Sequence, residues 1–95
     1  MARLPGPGLS DRVAIELVEA DCEIGFGLVD IAEMESHSGD RALATRALDD
    51  ADQVMLDIEQ RLVRLAERNR TPFGPLVCEL RRQIKQARSH VPGPS

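Results

Sequence analysis

Between Asp40 and Asn69 the chain contains neither glycine nor proline, and its apolar residues keep returning to one side of a helix. Ala44, Ala47, Leu48, Ala51, Val54, Met55, Ile58, Leu62, Leu65 and Ala66 follow one another in steps of three and four, a helical period that a strand cannot use. Arg46, Asp49, Asp50, Gln53, Asp57, Gln60, Arg64 and Glu67 stand opposite, so one flank seeks burial and the other water. Roughly 30 uninterrupted residues make a rod of about 45 Å. In a chain of 95 residues, such a rod dictates how everything else is arranged.

The remaining sequence reads as helix too. With two Phe and no Trp or Tyr, a core must be built from Leu, Ile, Val and Ala, which suits helix packing better than a sheet. Ser10 and Asp11 resemble a cap and first turn, and a first helix is predicted over 10–36. It carries two apolar seams. One is Val13, Leu17, Ala20, Ile24, Leu28 and Ile31; the other is Val18, Cys22, Phe26 and Val29, with Ala14, Gly25 and Ala32 between them. Only Glu16, Glu19, Glu23 and Asp30 mark a narrow wet face, so this helix is expected to be central and covered on two sides. Gly25 and Gly27 each cost about 1 kcal/mol relative to Ala in mid-helix, which close helix approach, a kink or a ligand pocket could offset.

Gly39 and Asp40 read as the stop of that helix and the cap of the second, which is predicted over 40–69, and so short a turn demands an antiparallel hairpin. Asp57 and Arg61 form an i,i+4 pair on it. A turn over 69–75 with Pro72, Gly74 and Pro75 precedes a third helix over 75–89, whose buried line is Val77, Leu80, Ile84 and Ala87. The segments 1–9 and 91–95, rich in Pro and Gly, are expected to be flexible ends of a single helical domain over 10–90.

Gly39, Ala44, Leu48 and Ala51 have the spacing of the turn glycine and second-helix residues of a tetratricopeptide repeat, and Leu28, Ile31 and Ala32 sit where that family has its first-helix signature. This stretch, about a third of the chain, resembles one degenerate tetratricopeptide-type hairpin. It departs from the pattern at Glu35, in place of an aromatic residue, and at Leu56, in place of the closing Pro. The resemblance implies peptide or protein binding without catalysis.

Charge is unevenly spread around a net −4: residues 1–37 hold two Arg against eight acids, and residues 71–95 hold four cations against one acid. Arg81, Arg82, Lys85 and Arg88 make a basic patch on the third helix that could touch phosphates, or could pair with the acidic first helix. Asp21 projects from the middle of an apolar arc, where a carboxylate needs a partner or a proton; Arg81 or Arg88 could supply one, as could a subunit interface or a ligand. The acids Glu16, Glu19, Glu23, Asp30 and Glu33 could gather a divalent cation, but the inward Glu with His three residues later used by bundle metal sites does not occur. Cys22 and Cys78 lack the neighbours of a nucleophile, and there is no phosphate loop, dinucleotide fingerprint or zinc spacing. An enzyme and a cofactor are therefore not expected.

Together these features predict an all-α chain, a long hairpin with a shorter third helix. That helix is expected to shield Val13–Ile24 and Met55–Ala66, leaving Phe26, Val29 and Ala32 uncovered with the facing part of the second helix from Ala42 to Val54; with Gly25, these three residues of the first helix are the expected interface of a homodimeric four-helix bundle. The expected role is a non-enzymatic protein-protein interaction or scaffold module in the cytoplasm, able to take a protein or peptide partner. Two alternatives stand beside it: a nucleic-acid accessory protein acting through the third helix, with nucleic acid the less expected partner, and a metal-binding bundle. Neither a secretory leader nor a membrane-spanning run is recognisable.

Overall fold

A computed structural model describes residues 9–91. Leu9–His37 forms the first helix, α1, and Arg41–Val63 the second, α2. The turn between them follows from two side chains. Gly39 takes φ 89°, a left-handed conformation that residues with a Cβ enter at a cost, and this closes α1 with paired bonds: Gly39 N–H to Ser36 O at 3.2 Å and Asp40 N–H to Glu35 O at 2.9 Å. Asp40 then caps α2, its Oδ1 accepting the Leu43 N–H at 3.0 Å. Gly39→Ala and Asp40→Ala should each lower stability by about 1 kcal/mol in urea melts, without changing helix content.

Beyond α2 the path departs from the expected uninterrupted helix over 40–69. The chain leaves the helix at Arg64, and Ala66 is extended at φ −60° and ψ 151°. A single helical turn, α3 (Glu67–Arg70), and a 3-10 turn (Thr71–Phe73) lead directly into α4 (Gly74–His90). Local propensity favours continuation, and packing overrides it: the break lets both Leu65 and Phe73 enter the core. Pro72 and Pro75 sit in the opening turns of their helical segments, where a missing N–H costs nothing.

All regular structure among the described residues is helical. The core is one cluster. Val18, Cys22, Val29 and Ala32 enter it from α1, Ala47, Leu48, Ala51, Met55 and Ile58 from α2, and Val77, Leu80, Ile84 and Ala87 from α4. The expected apolar faces of α2 and α4 are thus the buried ones, except that Val54 and Leu62 are partly buried and Ala66, beyond α2, is exposed. α1 stays helical through Gly25 and Gly27, with no break between them. A Cβ on Gly25 would lie 2.7 Å from Leu80 Cδ2, so this glycine lets α4 approach α1 closely. Beyond the local helix backbone and its chain neighbours, no described atom lies within 4 Å of that position at Gly27.

The third long helix starts near the C-terminal end of α2, as expected, but reaches further along the hairpin than expected, to the turn itself. Arg81 reaches Glu59, Arg88 reaches Asp49 and Asp52, and His90 meets Glu33 and Ser36 beside the turn. Because α2 stops about 9 Å short of its expected end, and the reversal is taken up in tight helical turns, α4 starts lower and runs back to the hairpin turn. It therefore helps enclose the residues expected to remain uncovered. Val29 is 4% exposed, Ala32 is fully buried, Gly25 is buried and Phe26 is half-buried against the core. A partner cannot reach the first three without opening the chain. The expected ends at 1–9 and 91–95 lie outside the described residues, apart from Leu9 and Val91.

Candidate interaction surface

With one seam of α1 inside, its other seam is left facing out. Val13, Leu17, Ile24, Ile31 and Met34 are between 40% and 65% exposed, so α1 is covered on one side and not on two. These residues, with Ala20 and Gly27, follow steps of four, three, four, three, four and three from Val13 to Met34. That is a heptad seam of three repeats, about 31 Å long. Large Leu17, Ile24 and Ile31 form one row, and small Ala20 and Gly27 interrupt the other. This alternation in the sequence was the available signal for the open face; grouping residues into two broad seams hides it.

The edges of the seam are charged and unequal. On one edge Glu16, Glu23 and Asp30 recur every seven residues, all exposed, with no basic partner among the described residues. The other edge holds Ala14, Asp21, Leu28 and Glu35. Asp21 is not the buried carboxylate expected: its side chain is 18% exposed, and Arg61 Nε donates to Oδ2 at 3.1 Å. Its partner comes from α2, and not from Arg81 or Arg88 of α4. Arg61 is thereby drawn away from Asp57, which instead accepts from Gln53 at 3.2 Å.

The basic patch of α4 is largely neutralised within the chain. Arg81 pairs with Glu59, Arg82 with Glu79, and Arg88 with both Asp49 and Asp52; only Lys85 has no acidic partner among the described residues. The acids come from α2 and from α4 itself, whereas the expected pairing was with α1. Hydrogen bonds from Arg82 and Gln83 hold the Glu79 carboxyl down to about 2, and the Asp52 and Asp49 carboxylates raise the Arg88 guanidinium further. Between α2 and α4 the Arg81–Glu59 and Arg88–Asp52 pairs line an open groove of about 480 Å³, together with Met55, Leu56 and Ile84.

No three His, Cys, Asp or Glu side chains come together as metal ligands among the described residues. Both cysteines are free thiols, Cys22 buried and Cys78 exposed. Burial, then the charges of Asp21 and Glu19, push the Cys22 thiol up, which disfavours the reactive thiolate. A thiol reagent added to native protein should modify Cys78 first, with Cys22 slower by about a hundredfold or more until the chain opens. Equal rates would place Cys22 outside the core.

Among the described residues no helix is long and apolar enough to cross a membrane. Comparison with known proteins finds no family model that matches the chain, and no significant match among curated proteins or solved structures.

Proposed function

We propose that this protein is a non-enzymatic interaction module that docks another protein along α1. The observation that carries the reading is the exposed heptad seam from Val13 to Met34. Single exposed apolar residues are ordinary on any surface, but a continuous apolar row of this length is the kind of face that partners cover. It lies on a rigid helix, backed along much of its length by the chain's own core, so docking needs little reordering. The tetratricopeptide-type resemblance points to the same class of function. Two unbonded cysteines fit a reducing compartment such as the cytoplasm.

The nucleic-acid reading draws less support, because three of the four cations on α4 are already engaged with carboxylates and would have to give these up to meet phosphates. Affinity purification from the native cells, comparing the natural chain with Ile24→Asp, tests the proposal. A protein recovered in stoichiometric amount with the natural chain and lost with Ile24→Asp supports it. Recovery unaffected by Ile24→Asp overturns it.

A further inference from the structure

The chemistry of the partner can be read from the edges of the same seam. We propose that the Val13–Met34 face takes one amphipathic helix of another protein, about 20 residues long, with heptad-spaced apolar residues and Lys or Arg along the edge that meets Glu16, Glu23 and Asp30. This inference rests on the docking role proposed above and names the occupant.

A helix is the shape that fits. The open residues keep to a 3.5-residue repeat through three heptads, which holds a partner helix in register along about 31 Å when the two wind gently left-handed about each other. Ala20 and Gly27 lie one heptad apart beside the row of Leu17, Ile24 and Ile31, leaving room for large side chains of the partner to sink toward the α1 backbone. Gly27 adds a second reason. A mid-helix glycine is costly, and beyond the local helix backbone and Gly27's chain neighbours no described atom lies within 4 Å of its missing Cβ, so packing within the described chain does not use the space.

Charge decides against a second copy of α1. In an antiparallel pair, the edge of Glu16, Glu23 and Asp30 would face the same edge of its twin. In a parallel pair Glu16 would face Asp21, and Asp30 would face Glu35. Either arrangement sets carboxylates against carboxylates. Among the described residues none of the three acids of that edge is in a salt bridge. A partner carrying Lys or Arg there would gain steering and register from all three.

Two synthetic three-heptad helices test this, both with Ile and Leu at the core positions, one with Lys and one with Glu at the flanking positions. Each is dye-labelled, and its binding to the whole protein is followed by fluorescence anisotropy, while sedimentation reports self-association. The Lys-flanked helix should bind at least about tenfold more tightly at low salt, the gap should narrow near 0.5 M salt, and Ile24→Asp should abolish binding. Glu16→Lys combined with Glu23→Lys and Asp30→Lys should reverse the preference. Circular dichroism of each variant keeps a loss of binding distinct from a loss of fold. Equal binding of both helices, lost in Ile24→Asp, overturns the charge rule while leaving the docking role standing. Self-association removed by Ile24→Asp makes the occupant a second copy, which overturns this inference and the docking of another protein while keeping α1 as the contact face. If neither helix binds and the protein stays monomeric, both this inference and the docking role fall.

Discussion

Leu80→Ala should cost about 3–4 kcal/mol in chemical unfolding, a large share of the roughly 5–14 kcal/mol available to a chain of this size. Leu80 is fully buried, and its Cδ2 occupies the space where a side chain on Gly25 would begin. Truncation removes the apolar contact and leaves a cavity against bare backbone, which cannot swell to fill it. The same geometry makes the pair strongly coupled. In the natural chain Gly25→Val inserts three carbons where even the first lies 2.7 Å from Leu80, and about 2 kcal/mol of overpacking should result. In a Leu80→Ala background Gly25→Val enters the vacated volume and gains helix propensity, so it should stabilise. A double-mutant cycle should therefore show a coupling of at least about 2 kcal/mol. Additive effects would mean that α4 does not rest on Gly25. Gly27→Ala is the control two residues away: with open space around it, it should stabilise the protein by about 0.5–1 kcal/mol.

Val29→Asp should abolish folding at ordinary temperature, whereas Ile24→Asp should leave the melting temperature nearly unchanged. Both residues are β-branched and both lie on α1, so the substitution changes helix propensity alike. Val29 is buried among core residues, where a new carboxylate would have no partner and would cost several kcal/mol even after taking up a proton. Ile24 is about half exposed, and Asp there keeps its water. Thermal melts by circular dichroism read the contrast directly. The reverse ranking would turn α1 inside out, with the seam described here as open lying in the core.

The sequence was most informative where one pattern had one solution. Ala44 through Ile58 and Val77 through Ala87 present a single apolar face on each helix, and those faces are buried. Gly39 followed by Asp40 marks a turn through backbone chemistry local to five residues, and it forms as read. Less was legible where two solutions competed. α1 is apolar on two seams, and its own residues do not say which goes inward. That choice depends on where α4 lands, and thus on the break at Arg64–Ala66, which no glycine or proline announces. Gly25, Val29 and Ala32, the expected dimer face, are buried for this reason: the shorter α2 brings α4 over them. The partner of Asp21 followed suit, since the shift left Arg61 of α2 beside it and carried Arg81 and Arg88 to other acids.

Methyl-resolved NMR of the whole protein, titrated with the Lys-flanked synthetic helix, tests the docking role of α1 most directly. Shifts should gather on Val13, Leu17, Ile24, Leu28, Ile31 and Met34, with Val18 and Val29 changing little. Perturbation confined to Met55, Leu56 and Ile84 in the groove between α2 and α4, or no perturbation at saturating peptide, would contradict it.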